Sequence, residues 1–381
     1  MKIVLAPDSF KGSLTALQAC EAMERGVLQV HPDAEVVSVP LADGGEGTVD
    51  ALVQARGGRY EKIRVHGPLG EPVEATYGIV GEEPEMAAVI EMAACSGLTL
   101  VPIGRRNPLN TTTYGLGEMI LAALETGCRR VLLGIGGSAT NEMGLGMAQA
   151  LGGRFFNASD REIEALLTGR LIGAVERADL SHLQKVVSRA GFVAVCDVKN
   201  PLLGPEGATS TYGPQKGAVG EQLVELERNL TRVVGLIEQV TGLSLRDMPG
   251  AGAAGGMGAG AVAFLNAQLQ RGVEIVIRES RLAEKLSGAS LVLSGEGRLD
   301  RTTLSGKTLC GIGELTLQHD MPLVVLTGGV DGKITPKQLE SIGVSEAHSI
   351  APAGTDIQTS MRQAAEFLEE KTVEVMQHLQ R

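Results

Sequence analysis

Residues 2–13 read KIVLAPDSFKGS, and residues 291–300 read LVLSGEGRLD. Each stretch is a short apolar run that stops at a loop of glycine and polar residues, as a buried strand of a parallel sheet does. A helix is predicted after the first stretch, where Thr15 and Gln18 have the spacing of a capping box. The two stretches predict that both ends of the chain contribute to one α/β sheet.

The same alternation of strand and helix extends outward from both stretches. Further strands are predicted at 36–40, 323–327 and 348–351, and helices from about residues 48, 306, 336 and 360. If the five strands follow the flavodoxin-like order 2-1-3-4-5, ligands bind at the switch point between the first and third strands. The loop that starts at Asp8 then faces the loop 295–300, with Asp43 close by.

The middle of the chain has a different pattern. Residues 60–92 alternate between apolar and polar positions around a glycine- and proline-containing turn at 66–72, which predicts an antiparallel meander. We therefore predict an α/β fold in which a discontinuous flavodoxin-like parallel-sheet domain, 1–64 plus 282–381, carries a large inserted mixed α/β domain, 65–281. The active site is expected in the cleft between the two domains.

Composition excludes several classes of protein. The net charge of −11 disfavours nucleic acid and anionic membranes as partners. Five scattered cysteines indicate a reducing compartment, and the N-terminal apolar run is too short for a signal peptide. The uncharged stretch 248–270 consists mainly of glycine and alanine and is not a membrane span. A cytoplasmic protein is expected, and its oligomeric state is left open.

The segment GIGGSATN, residues 134–141, lies between a predicted strand and a helix expected from about Glu142. Backbone N–H groups and hydroxyls in such a loop suit a phosphate or a carboxylate, although a tight turn that only caps a helix has the same pattern. The candidate phosphate-binding residues here are Gly136, Gly137, Ser138, Thr140 and Asn141.

A second glycine run, PGAGAAGGMG at 249–258, contains the spacing of a dinucleotide fingerprint. Its context does not fit, because 244–248 is a poor strand and the next acid, Glu274, begins a predicted strand instead of ending one. We predict instead that Gly252, Gly255 and Gly256 approach nucleotide phosphates. A side chain at Gly255 is then expected to block nucleotide and leave the fold intact.

The segment Ser305-Gly-Lys-Thr308 has the form of a P-loop tail, but Arg301 stands where that motif needs glycine. A P-loop fold is therefore rejected, and Lys307 remains a candidate anion contact.

Carboxylates follow the predicted strand ends repeatedly: Asp8, Asp43, Glu46, Glu296 and Asp300. Phosphoryl transfer needs Mg²⁺ held by oxygen ligands and a base for the attacking hydroxyl. Asp197 is the equivalent group on the inserted domain. Lys216, in the glycine-flanked segment 213–217, is a candidate phosphate contact.

Taken together, the segments MKIVLAPDSFKGSL, VPLADGGEGT, GPLGEPV, VIEMAACSGL, GIGGSATN, CDVKNPL, GPQKGA, PGAGAAGGMG, GVEIVI and SGEGRLD occur in an order that resembles the type I glycerate kinase family. The resemblance covers residues 1 to about 330. It implies a two-domain α/β enzyme that uses ATP and Mg²⁺ to phosphorylate D-glycerate, with 2-phosphoglycerate favoured over 3-phosphoglycerate. Many members continue Asp-Gly-Gly after GGSATN, whereas this chain has Glu142-Met143-Gly144.

Because the resemblance implies ATP, Mg²⁺ and glycerate as ligands, each candidate site residue can be given a role. Arg298 offers a planar fork that matches a carboxylate with two hydrogen bonds. The proposed catalytic residues are Asp8, Lys11 and Asp197; the substrate-binding residues are Ser9, Asp43, Glu46 and Arg298; and the metal ligands are Asp8, Asp43, Glu296 and Asp300.

Two alternatives remain open at this point. The spacing of Gly250, Gly252 and Gly255 would suit an NAD-dependent hydroxyacid dehydrogenase. A two-domain sensor that closes on a sugar acid without turning it over is the second alternative.

Overall fold

The computed structural model describes residues 1–42, 47–300, 303–305, 308–332 and 334–379. Those residues form thirteen strands: β1 (Lys2–Leu5), β2 (Glu35–Ser38), β3 (Arg59–His66), β4 (Pro72–Val80), β5 (Ala87–Glu91), β6 (Arg130–Gly134), β7 (Arg154–Phe156), β8 (Arg177–Asp179), β9 (Gly191–Val195), β10 (Gln268–Gln270), β11 (Leu291–Glu296), β12 (Leu323–Thr327) and β13 (Glu346–Ser349).

The same residues form fifteen α-helices: α1 (Ala16–Val30), α2 (Thr48–Arg56), α3 (Ala93–Ser96), α4 (Tyr114–Glu125), α5 (Leu145–Ala150), α6 (Ser181–Val187), α7 (Ala208–Tyr212), α8 (Glu221–Thr241), α9 (Ala253–Leu265), α10 (Gly272–Glu279), α11 (Leu282–Leu286), α12 (Thr308–Gln318), α13 (Pro336–Glu340), α14 (Ile357–Arg362) and α15 (Ala364–Leu379). None of the helices in these ranges is both long enough and apolar enough to cross a membrane.

The described residues divide into two compact units. The first contains those of 1–42, 50–57 and 272–379, and the second contains 47–49 and 58–271. The predicted boundaries at 64/65 and 281/282 differ from these. β3 pairs with β4 along its whole length and so belongs to the second unit. α10 belongs to the first unit, because its Val273 and Ile277 pack around Gly311 of α12.

The first unit is built on a five-stranded sheet in the order β2-β1-β11-β12-β13, and every neighbouring pair is parallel. This is the order 2-1-3-4-5, so the flavodoxin-like prediction is confirmed. Helices α1 and α15 share a hydrophobic core with these strands. The capping box of Thr15 and Gln18 at the start of α1 is also confirmed.

The second unit is built on a six-stranded mixed sheet in the order β3-β4-β5-β6-β9-β10. The strands β3, β4 and β5 form the predicted antiparallel meander, and β5, β6, β9 and β10 pair in parallel. A separate antiparallel pair consists of β7 and β8. Because β6 and β9 are neighbours in parallel, the loops that follow them leave the same edge of the sheet.

Candidate active site

The first unit has a pocket at its switch point. The loops after β1 and β11 lie side by side there, and the Asp8 N–H donates to the Gly295 carbonyl at 2.8 Å. The pocket has a volume of about 490 Å³. Its lining includes the predicted residues Asp8, Ser9, Lys11, Glu296, Arg298 and Asp300. The strand order therefore brings these six residues together as expected, and their roles remain predictions.

The Asp8 carboxylate is held by two donors. The Ser9 N–H donates to Oδ1 at 2.6 Å, and the Thr308 hydroxyl donates to Oδ2 at 2.8 Å. Thr308 is the buried first residue of α12. In the sequence, Thr308 stood out only as part of a rejected P-loop, so it was not predicted to be a partner of Asp8. These two hydrogen bonds orient the carboxylate.

Glu296 and Asp300 are linked through Thr303. The Thr303 hydroxyl donates to Glu296 Oε1 at 2.7 Å and accepts from the Asp300 N–H at 3.2 Å. Carboxylate oxygens are the ligands that Mg²⁺ prefers, and Mg²⁺ often uses only one or two of them together with substrate phosphates. Among the described residues, no three His, Cys, Asp or Glu side chains form a complete metal site. Glu296 and Asp300 have the donor chemistry that a Mg²⁺ ion uses.

Two cations line the same pocket, Lys11 and Arg298, and both are exposed. They partly offset the three carboxylates, so an anionic ligand would find local donors in spite of the protein's overall negative charge. The predicted substrate ligands Asp43 and Glu46, and the candidate anion contact Lys307, lie outside the described residues.

The second unit carries the glycine loop that follows β6. Gly136 and Gly137 are exposed, whereas Ser138, Thr140 and Asn141 are buried. The Gly137 carbonyl accepts from the Leu98 N–H, and the Ala139 N–H donates to the Ser96 carbonyl. These two hydrogen bonds fix the loop. Within the described ranges, no protein acceptor takes the backbone N–H groups of Gly136, Gly137 or Ser138. Such a row of available donors suits an anion.

Lys216 reaches this loop from the segment Pro214–Lys216, a turn of 3-10 helix. Its ammonium donates to Ser138 Oγ and to the Thr140 carbonyl, each at 2.7 Å, and the side chain is buried. Burial lowers the pKa of Lys216 to about 7. A charged ammonium has three N–H donors, and these hydrogen bonds use two of them. Sequence reasoning named Lys216 as a candidate but did not foresee its burial.

Glu142 is also buried, and it organises the start of α5. Its carboxylate accepts from the Thr113 hydroxyl at 2.7 Å and from the Gly146 N–H at 2.6 Å. Burial raises its pKa to about 7, although these hydrogen bonds oppose the rise. The helix expected from about Glu142 begins only at Leu145, because Met143 and Gly144 have left-handed backbone conformations.

The second glycine run has a packing role. Gly252, Gly255 and Gly256 are all buried. A Cβ on Gly255 would lie 2.0 Å from the Thr140 carbonyl oxygen, and one on Gly252 would lie 2.1 Å from that of Pro201. Gly252 and Gly255 let backbone pack directly on backbone, and the approach of Gly252, Gly255 and Gly256 to nucleotide phosphates stays a prediction. The run supports the loop that carries Thr140.

The expectation that a side chain at Gly255 leaves the fold intact is therefore wrong. Gly255 has a φ of +72°, and Gly255→Ala adds a clash with backbone that cannot move aside. We expect its free energy of unfolding to fall by at least about 2 kcal/mol, the usual scale for overpacking. Denaturant unfolding measures this, with Gly191→Ala as the matched control, since a Cβ there meets nothing within 4 Å. Equal stability of the two variants would contradict the packing role.

Asp197 follows β9 and is exposed. Since β9 neighbours β6, Asp197 leaves the sheet at the same edge as the glycine loop. Asp197 and the glycine loop therefore lie at the same edge of the second unit's sheet.

Comparisons with known proteins cover nearly the whole chain. A family model described as the glycerate kinase family matches residues 3–380. Glycerate kinase of Bacillus subtilis (strain 168) is 44% identical over 369 residues, which is 97% of this chain and 95% of the relative. Glycerate 2-kinase of Escherichia coli (strain K12) is 44% identical over 350 residues, 92% of this chain and 89% of the relative.

A crystal structure from Salmonella typhimurium LT2, assigned as glycerate kinase 2, has the same fold. Its TM-score is 0.89 at 41% identity, with 100% of this chain and 98% of that chain covered. Both units described above therefore have counterparts in a solved structure.

Proposed function

Because the chain belongs to the glycerate kinase family, we propose that it transfers the γ-phosphate of ATP to D-glycerate with the help of Mg²⁺. Family membership makes the protein a glycerate kinase. The single observation that carries the finer proposal is the buried ammonium of Lys216 beside the available N–H groups of the glycine loop. A buried cation with a row of donors suits the charge of a phosphate.

The phosphates of ATP are proposed to bind the glycine loop of the second unit. The N–H groups of Gly136, Gly137 and Ser138 would contact phosphate oxygens, and Lys216 would neutralise charge that develops on them in the transition state. Thr140 and Asn141 are buried at the end of this loop and would hold its shape. Asp197, at the same edge of the sheet, is the proposed acidic group on this side of the reaction.

The acceptor is proposed to bind the first unit. Arg298 would bind the glycerate carboxylate with Ser9 and Lys11 beside it, and Asp8 would accept the proton of the attacking hydroxyl. The hydroxyl oxygen then forms a bond to the γ-phosphorus, the bond from that phosphorus to the β,γ-bridging oxygen breaks, and ADP leaves with the electron pair. The hydrogen bonds from Ser9 and Thr308 keep Asp8 oriented for this step.

Glu296 and Asp300 are the residues proposed to hold Mg²⁺, with Asp8 and Asp43 as further predicted ligands. When bound, Mg²⁺ would neutralise phosphate charge. Thr303 would keep Glu296 and Asp300 in place, since it bonds both.

We propose 2-phosphoglycerate as the product, because a relative of 44% identity is named glycerate 2-kinase. The reaction is proposed to take place in the cytoplasm, where ATP is available and the protein's five free cysteines would stay reduced.

A coupled assay tests the proposed reaction. Pyruvate kinase and lactate dehydrogenase convert ADP release into loss of NADH. We expect loss that requires ATP, Mg²⁺ and D-glycerate together, and no reduction of NAD by glycerate alone. Reduction of NAD without ATP would instead favour the dehydrogenase, and glycerate binding without ATP turnover would favour the sensor.

Arg298→Lys is expected to raise the KM for glycerate about tenfold and to change the KM for ATP less than twofold. Lysine keeps the charge but loses the second hydrogen bond to the carboxylate, and a hydrogen bond to a charged group is worth about 1.5–3 kcal/mol. Steady-state kinetics with each substrate varied in turn measures the difference. Lys185→Arg, an exposed exchange on α6, is the control. Equal shifts in the KM for glycerate and the KM for ATP would contradict the assignment of Arg298 to the acceptor site.

A further inference from the structure

Arg106, in the second unit, lies close to the glycine loop. Its guanidinium donates to the Val101 carbonyl from Nε at 3.3 Å and to the Leu98 carbonyl from Nη2 at 3.5 Å. The Leu98 N–H in turn donates to the Gly137 carbonyl at 2.8 Å. Only the backbone of one residue, which spans at most about 3.6 Å, separates these contacts, so the guanidinium lies within about 10 Å of Gly137.

The backbone of Arg106 also packs against the segment that carries Lys216. Gly217, the next residue, has a φ of +95°, and a Cβ there would collide with the Arg106 carbonyl and lie 2.8 Å from the Arg106 Cβ. The glycine lets the two segments touch. Because the Lys216 ammonium bonds Ser138 and Thr140, Arg106 contacts two segments that are each hydrogen-bonded to the glycine loop.

The charge of Arg106 is not neutralised by a carboxylate of the described ranges. Its recorded side-chain partners there are the two carbonyls, which take two of the five N–H donors of a guanidinium. The adjacent Arg105 differs, because its guanidinium pairs with Glu71 at 3.0 Å and its side chain is 55% exposed. Arg106 is half-buried, and a half-buried cation without a counterion attracts an anion more strongly than one that solvent screens.

The proposed phosphate site needs more positive charge than Lys216 supplies. A triphosphate carries several negative charges, and the N–H groups of the glycine loop offer it dipoles but no net charge. Burial lowers the pKa of Lys216 to about 7, so near neutral pH only about half of the free protein carries that charge. A guanidinium stays charged throughout the physiological range of pH.

We propose that Arg106 is a further phosphate-binding residue, which supplies permanent positive charge to the triphosphate of ATP at the glycine loop. The inference rests on the proposed function and uses residues of the second unit alone. Because Arg106 is partly exposed, an anion can approach it from solvent, whereas the Lys216 ammonium is buried against Ser138 and Thr140. The two cations would share the charge of the phosphates between them.

The test uses two variants of Arg106 and a matched control. Arg106→Gln removes the charge and keeps a polar side chain, whereas Arg106→Lys keeps the charge. Arg105→Gln is the control, because it makes the same exchange at the adjacent, exposed position that is paired with Glu71. Calorimetry measures the dissociation constant of inorganic tripolyphosphate, and steady-state kinetics measures the KM values for ATP and glycerate. A thermal unfolding curve is recorded for each variant.

We expect Arg106→Gln to raise the tripolyphosphate dissociation constant and the KM for ATP at least about tenfold, as loss of hydrogen bonds from a charged group does. Arg106→Lys should recover part of this loss. The KM for glycerate should change less than twofold, and Arg105→Gln should change none of the three constants.

An unchanged tripolyphosphate dissociation constant in Arg106→Gln overturns the proposal. A purely structural role would lower the unfolding temperature and leave Arg106→Lys no better than Arg106→Gln, and that result also overturns it. If the wild-type protein does not phosphorylate glycerate, the proposed function fails, and tripolyphosphate binding alone decides: no binding by the wild type, or binding unaffected by Arg106→Gln, overturns the inference.

Discussion

Lys216→Met is expected to lower kcat/KM for ATP about 100- to 1,000-fold, the loss typical when one preorganised donor to transition-state charge is removed. Methionine has nearly the length of lysine and fills the same buried space, so the loop around Ser138 and Thr140 keeps its packing. The variant lacks the charge and also the hydrogen bonds to Ser138 and Thr140, so its stability is measured beside its activity. Steady-state kinetics and a thermal unfolding curve of the same variant separate activity from stability.

Lys185→Met is the matched control, because Lys185 is exposed on α6 and touches no part of the glycine loop in the described structure. It should keep kcat/KM within twofold of wild type. If Lys216→Met also keeps kcat/KM for ATP within twofold of wild type, Lys216 has only a structural role and the phosphate site lies elsewhere.

Proton uptake gives an independent measurement of the same contact. In the free protein Lys216 has a pKa of about 7 because of its burial, so at pH 8 its amine is mostly neutral. A phosphate beside it would raise that pKa, and the lysine would then take up a proton. Calorimetry of ATP binding in buffers of different ionisation enthalpy should detect net uptake at pH 8 for wild type and less for Lys216→Met. Equal uptake by both proteins would contradict the contact.

Asp8→Asn is expected to lower kcat by about 100-fold or more while KM for either substrate changes little, as loss of a general base does. Asparagine has the same shape, and its oxygen can accept from the Ser9 N–H. Its amide nitrogen cannot accept from the Thr308 hydroxyl but can donate to it after that hydroxyl rotates, so the loop after β1 should hold its conformation. Turnover is measured at saturating Mg²⁺, so that a weakened metal site cannot imitate the effect.

Asp33→Asn, in the exposed turn before β2, is the control and should leave turnover unchanged. Asp197→Asn is measured in parallel, because Asp197 is the corresponding carboxylate of the second unit. If both Asp8→Asn and Asp197→Asn keep near wild-type kcat, the base assignment is wrong and Glu296 or Asp43 becomes the better candidate.

The sheet of the first unit was predictable because buried parallel strands are continuous apolar runs. Residues 3–5 and 291–293 are such runs, and the polar residues after them indicated where the strands end. Once the order 2-1-3-4-5 was assumed, the meeting of Asp8 with Glu296 and Arg298 followed from the switch-point rule. What sequence could not supply was Thr308, since nothing local marks it as the partner of a carboxylate 300 positions away.

Other features depend on tertiary packing that no short pattern encodes. Glycines that approach a ligand and glycines that let two backbones meet look the same in sequence; only the position of the Thr140 carbonyl shows that Gly255 is of the second kind. The segment around Glu274 is rich in β-branched residues and was predicted to be a strand. It forms α10, because its buried positions have helical spacing: Val276 lies three residues after Val273, and Glu279 lies four residues after Ile275.

The central claim is the transfer of phosphate from ATP to glycerate, and ³¹P NMR of the reaction mixture tests it most directly. Enzyme, ATP, Mg²⁺ and D-glycerate are incubated, and the spectrum is followed with time. We predict that the γ-phosphorus signal of ATP disappears in step with the growth of one phosphomonoester signal, assigned to 2-phosphoglycerate by comparison with the authentic compound. ATP that stays intact, or that yields only inorganic phosphate, would contradict the account.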